Sequence, residues 1–126
     1  ELSGDLNDYY VTFMTSVFRS VRFGASSAHG KANMIRFNYF KEKNAFEYDD
    51  EKGTYKVIFE NMESAMESLS SNILQLQGDG DYDGVAKLVD SHGKIGQDLQ
   101  KDLDRLTAKN IPVDVVFKQG IDVLGL

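Results

Sequence analysis

Apolar side chains recur every three or four residues along most of this chain, and every two residues over one short stretch. Leu6, Tyr10, Phe13, Met14, Val17 and Val21 form the first stripe and predict an amphipathic helix. Asp5 or Ser3 is placed to cap its start. Arg19 and Arg22 complement the dipole near its end, and Gly24 supplies a stop. Ser26 or Ser27 offers the N-cap of a second helix. That helix carries two stripes. One is small and apolar: Ala28, Ala32, Ile35 and Tyr39, with Phe40 beside it. The other is His29, Asn33, Arg36 and Phe40, and it begins polar. Lys31 points elsewhere on the wheel. Gly30 follows His29 directly, where a glycine weakens a helix by about 1 kcal/mol relative to alanine.

The period then changes. Phe46 alternates with Tyr48, and Tyr55 with Val57 and Phe59, around Asp-Asp-Glu-Lys-Gly, with Gly53 able to take positive φ. This predicts a short β-hairpin. Two strands alone are marginal in water, so the hairpin must lean on helices. A third helix is expected from about Glu60 to Gln77, with Met62, Met66, Leu69, Ile73 and Leu76 on one face. After "GDGDYDG" comes a shorter helix with Val85, Leu88 and Val89, broken by Gly93. A fifth carries Ile95, Leu99, Leu103 and Leu106 and ends near Asn110, since Pro112 bars continuation. The apolar tail after Pro112 has no clear period and fits a strand or a short turn. The expected fold class is mainly α: a compact bundle of about five helices with one short β-hairpin, in a single domain over 1–126.

Composition narrows the functions. The 126 residues carry a net charge of −6, and 41% are hydrophobic. An acidic chain is a poor match for nucleic acid, whose affinity comes from Lys and Arg neutralising phosphates, and for an anionic membrane surface. No apolar run approaches the roughly 20 residues that span a bilayer. There are no cysteines, hence no disulfide framework and no thiolate metal site. The chain opens at Glu1 in a polar stretch, as a segment of a longer protein would; the expected compartment is cytoplasmic.

Two motifs bear on chemistry. In "DGDYDGVAKLVD", Asp79, Asp81, Asp83, Gly84 and Asp90 fall at positions 1, 3, 5, 6 and 12 of a calcium loop. Asp90 is shorter than the usual bidentate glutamate, and Ala86 replaces the usual branched aliphatic. The same residues make a good helix–helix turn, with Asp81 as N-cap and Asp83 in the first turn. His29 is either a packed first-turn histidine or part of a site. Neither it nor His92 has the neighbours of a zinc helix, so no metal ligand is assigned in this chain.

"FMTSVFRSVRFGASSAHGKANMIRFNYFKEKNAF" resembles the dipeptidyl peptidase III family of zinc metallopeptidases. It is most similar to their bacterial members and to plant relatives fused to a Nudix hydrolase domain, in which an F-R-S-[IV]-R-F-G…A-H-G-K stretch precedes a helix. The later "PVDV" and the "ESLS…IL" helix are similar too. The likeness is to the C-terminal region of such proteins. It implies a zinc-dependent hydrolase as the parent, with Zn2+ held elsewhere, because the family's His-Glu-x-x-Gly-His and Glu-Glu-x-Arg-Ala-Asp/Glu motifs are absent here. It implies that His29 contacts peptide substrate and the reacting carbonyl. The family's carboxylate-binding arginine position, four residues on, holds Asn33, and Arg36 lies one turn further. The resulting reading is part of a cleft wall, inactive alone, whose partners are the zinc-binding remainder of the parent and a peptide or small-molecule substrate. The alternatives are a non-catalytic helical interaction module and a calcium-stabilised structural domain.

Overall fold

A computed structural model describes residues 5–114, 117–118 and 120–125. The chain packs as two compact units, Glu1–Gly96 and Gln97–Leu126. It is mainly α, with one two-stranded antiparallel hairpin.

The first unit begins with α1 (Leu6–Val21), capped by Asp5, whose carboxylate accepts from Asn7 N–H at 3.1 Å. Helix α2 (Ala28–Glu42) starts at Ser27, not Ser26: the Ser27 hydroxyl accepts from Gly30 N–H at 3.0 Å. The apolar stripe expected on α2 is corrected here. Ala28 and Ala32 are exposed, and the buried face is Gly30, Met34, Phe37 and Phe40, with Tyr39. This helix carries apolar residues nearly all round, so periodicity alone does not choose the face. Packing against α1, through Met14, Val17 and Val21, does.

The hairpin pairs β1 (Phe46–Asp49) with β2 (Thr54–Val57) in the register Phe46↔Val57 to Asp49↔Thr54. Its turn closes with Gly53 N–H on Asp49 C=O at 2.7 Å, at Gly53 φ 62°. Asp49 also accepts from Glu51 N–H at 3.1 Å and Lys52 N–H at 3.0 Å. The Lys52 bonds, backbone and then side chain, hold its carboxyl below the usual range. The hairpin does lean on helices: Phe46 meets Phe37 of α2 at 4.9 Å between ring centroids, and Tyr55 meets Phe18 of α1 at 5.2 Å. Phe59, expected to continue the alternation, is instead the first residue of α3 (Phe59–Asp79).

Met62, Ala65 and Leu69 bury the N-terminal half of α3. Gly80, left-handed at φ 62°, ends α3, and α4 (Tyr82–His92) follows at once. In the second unit, α5 (Gln97–Ala108) starts after Ile95, so Ile95 precedes that helix and does not belong to its stripe. Within α5, Arg105 pairs with the buried Asp102 at 3.2 Å. The tail contains one helical turn, α6 (Ile121–Leu124). Residues 115, 116, 119 and 126 lie outside the described residues, and so do Ser3 and the rest of 1–4.

Candidate functional site

The first turn of α2 is fixed by its cap and by Gly30. A side chain at 30 would run into the backbone carbonyl of Gly24, with Gly24 C at 3.1 Å and Ala25 Cα at 3.2 Å. The glycine therefore lets the α1–α2 connection lie directly on the helix. With Gly30 turned inward, His29 is turned outward. It is exposed, and its side chain makes no hydrogen bond with the described residues. Packing does not account for it.

Asn33 and Arg36 continue that face. Asn33 Nδ2 donates to Ser20 Oγ of α1 at 2.6 Å, and Arg36 NH1 donates to Asn33 Oδ1 at 3.0 Å. Asn33 thus joins α1 to Arg36, with its amide engaged at both ends. One guanidinium donor is used and four remain. No ion pair with the described residues neutralises Arg36. Beside Ser20, the residues Ser16, Arg19, Ser20 and Phe23 line an open depression of about 270 Å³. The structure brings Asn33 and Arg36 into contact and sets His29 on the same face one turn earlier. Ser20 was missed by the sequence reading, since a partner on another helix leaves no periodic signal.

The acidic turn is built as a helix junction. Asp79 ends α3, and Asp81 caps α4 by accepting from Gly84 N–H at 2.8 Å. Asp83 lies in the first turn of α4, and Asp90 is on its last turn, ion-paired with Lys94. Ten of the twelve residues that would wrap a cation are helical instead.

The second histidine does have work. His92 Nε2 lies 2.8 Å from Glu42 Oε2, its Nδ1 lies 2.7 Å from Ser91 Oγ, and its ring sits 5.6 Å from that of Tyr39. A carboxylate only accepts, so Nε2 donates. Asn38 Nδ2 donates to His92 C=O at 2.7 Å and to Lys94 C=O at 2.8 Å, satisfying carbonyls left open as α4 ends. This clasp fastens α4 to α2. The hydrogen bond from His92 is the main cause holding the Glu42 carboxyl below the usual glutamate range, with the charges of His92 and Lys43 adding to it against partial desolvation.

Zinc binding needs three or four converging donors. Among the described residues, no group of three or more His, Cys, Asp or Glu is placed to hold a metal ion. His29 stands alone, and His92 is engaged by Glu42 and Ser91. The described residues by themselves offer no fit for a zinc ion, and the resemblance implies one held elsewhere in the parent. No described helix is long and apolar enough to cross a membrane.

No family profile matches the chain. Over 106 residues it is 41% identical to Nudix hydrolase 3 of Arabidopsis thaliana, an overlap that takes in 84% of this chain and 14% of that protein. Among solved structures it is similar to dipeptidyl peptidase III from Caldithrix abyssi, with TM-score 0.78 and 34% identity over 84% of this chain and 20% of that one. It is also similar to dipeptidyl-peptidase III from Corallococcus sp. strain EGB, with TM-score 0.77 and 36% identity over 85% of this chain and 19% of that one. The chain therefore spans a fifth or less of the length of these proteins, and it has the fold of a piece of a dipeptidyl peptidase III chain.

Proposed function

We propose that this chain is a C-terminal segment of a dipeptidyl peptidase III-like hydrolase, from a bacterial member close to the Nudix-fused plant relatives, and that α2 forms part of its substrate-cleft wall. The observation that carries this reading is His29, exposed and unbonded at the head of a face that Ser20, Asn33 and Arg36 hold together. The histidine is free to donate an N–H to negative charge developing on a scissile carbonyl, the kind of contact that counts in the transition state more than in the ground state. Arg36 carries the unneutralised charge one turn past Asn33, so Arg36 meets a substrate carboxylate and Asn33 orients Arg36. The zinc belongs to the remainder of the parent, which is the chain's partner, and the parent works in the cytoplasm. Alone, the segment is inactive.

The test is His29→Ala in the full-length parent. Losing one such donor typically lowers kcat on the order of 100-fold. KM and melting temperature stay close to wild type, because an exposed side chain buries little. An early-melting variant with normal turnover per folded molecule overturns the reading and returns His29 to a packing role.

A further inference from the structure

Three helices of the first unit meet without filling the space between them. Ile35 of α2, Leu69 and Ile73 of α3, and Val85 and Leu88 of α4 line a cavity of about 230 Å³, open on one side. An apolar cavity of about 150 Å³ is enough to take a benzene ring. Only Arg36 and Gln77 bring polar side chains to this wall. Arg36 therefore has two relations at once: it is part of the cavity wall, and its NH1 donates to Asn33 Oδ1 at 3.0 Å. That bond is to a neutral acceptor. The guanidinium charge has no carboxylate among the described residues, and its remaining donors form a fork suited to one.

We propose that the cavity between α2, α3 and α4 binds a small monocarboxylate with an apolar body, such as an aryl-alkyl acid. The body displaces water from the aliphatic walls, and the carboxylate sits on Arg36. The charge at the rim selects the occupant. A neutral apolar molecule leaves the guanidinium unmatched, and a bare carboxylate leaves the cavity unfilled. The occupant competes for the Arg36 guanidinium that the hydrolase reading gives to substrate, but its binding needs neither zinc nor the rest of the parent.

The experiment follows backbone amide shifts of the 126-residue chain during titration with 3-phenylpropionate, 3-phenylpropan-1-ol and acetate. A ligand of this size reaches a dissociation constant on the order of 1 mM. The expected result is saturable shifts on α2, α3 and α4 with phenylpropionate, binding of the alcohol weaker by up to roughly fivefold as suits an exposed ion pair, and no saturation with acetate. Arg36→Gln brings the acid down to the alcohol's affinity. Ala32→Phe, at an exposed position of the wall, blocks both. Absence of binding overturns the proposal, as do equal affinities for acid and alcohol, shifts centred elsewhere, or unchanged binding in Ala32→Phe. If Arg36→Gln loses its folded spectrum, the acid–alcohol comparison on the wild-type chain and the Ala32→Phe variant still decide.

Discussion

At Gly30 two costs compete. Alanine is the better helix former by about 1 kcal/mol. Its methyl, however, has nowhere to go, because the atoms in the way belong to the Gly24–Ala25 backbone and not to a side chain that turns aside. Forcing extra volume into a packed site costs about 1–3 kcal/mol, and a backbone clash belongs at the top of that range. Gly30→Ala is therefore expected to destabilise the chain by about 1–2 kcal/mol net, which for a unit of this size lowers the melting temperature by roughly 5–15 °C. A melting temperature at or above wild type would show that the connection gives way freely. His29 was legible in the sequence because a polar residue at a helix start stands out against periodic apolar ones. Its role was not legible from the residues alone: exposure depends on which way Gly30 turns, and that is settled by contact with Gly24. Ser20 was illegible for the same reason, since its bond to Asn33 joins residues 13 positions apart on two helices.

Elements were read more easily than their faces. Helix α1 has one apolar stripe, and the structure buries part of it, Met14, Val17 and Val21. The hairpin was legible from its alternation and from Gly53. In α2, where Met34, Ile35, Phe37, Tyr39 and Phe40 crowd the wheel, the choice of buried face is a tertiary one. The clasp between α2 and α4 lies further beyond sequence reading, since Asn38 reaches carbonyls 54 and 56 residues away. Removing it leaves the two carbonyls to water at the edge of the unit, so Asn38→Ala should cost about 1–2 kcal/mol. Amide exchange should quicken at the end of α4 before it changes in α1. Uniform quickening would mean that the clasp is not local. Its charged half has a definite pH signature. The lowered Glu42 carboxyl stabilises the fold above the ordinary glutamate pKa, and that contribution disappears as pH falls through the lower, folded value. Glu42 is more than half exposed, so the effect is about 0.2–1 kcal/mol. Glu42→Gln should melt slightly below wild type near pH 6, and the two curves should merge as pH falls below the ordinary glutamate range. A gap that widens on acidification would reverse the assignment. The acidic junction yields a further expectation. Asp81 is engaged as a cap and Asp90 with Lys94, so adding millimolar calcium or a chelator should leave the melting temperature unchanged. A ligand at 100 times its dissociation constant that binds only the folded chain adds about 2.7 kcal/mol, which is easily seen as a rise in melting temperature.

For the molecule as a whole, the decisive quantity is how little of its relatives' length it spans. The chain overlaps 14% of the plant Nudix hydrolase 3 and about a fifth of each dipeptidyl peptidase III chain. It brings two histidines and no cysteine. One histidine stands alone at the start of α2, and the other is engaged at the end of α4 by Glu42 and Ser91. A catalytic zinc needs three protein donors converging at about 2 Å and an open fourth position. To build that set around His29, carboxylates would have to be drawn from other elements. The purified chain is therefore expected to hold no stoichiometric zinc after dialysis and to release no dipeptide from a chromogenic dipeptidyl substrate, with or without added zinc. The positive half of the expectation is that His29 and Arg36 keep their arrangement without the remainder of the parent, because Ser27, Gly30, Ser20 and Asn33 all lie within the first unit. Metal analysis of the dialysed chain and a hydrolysis assay check the first half. Amide shifts of α2, compared between the free chain and the parent labelled in this segment, check the second. One tightly held zinc per chain, or turnover that follows added zinc, would show that the donor set is complete in this chain after all.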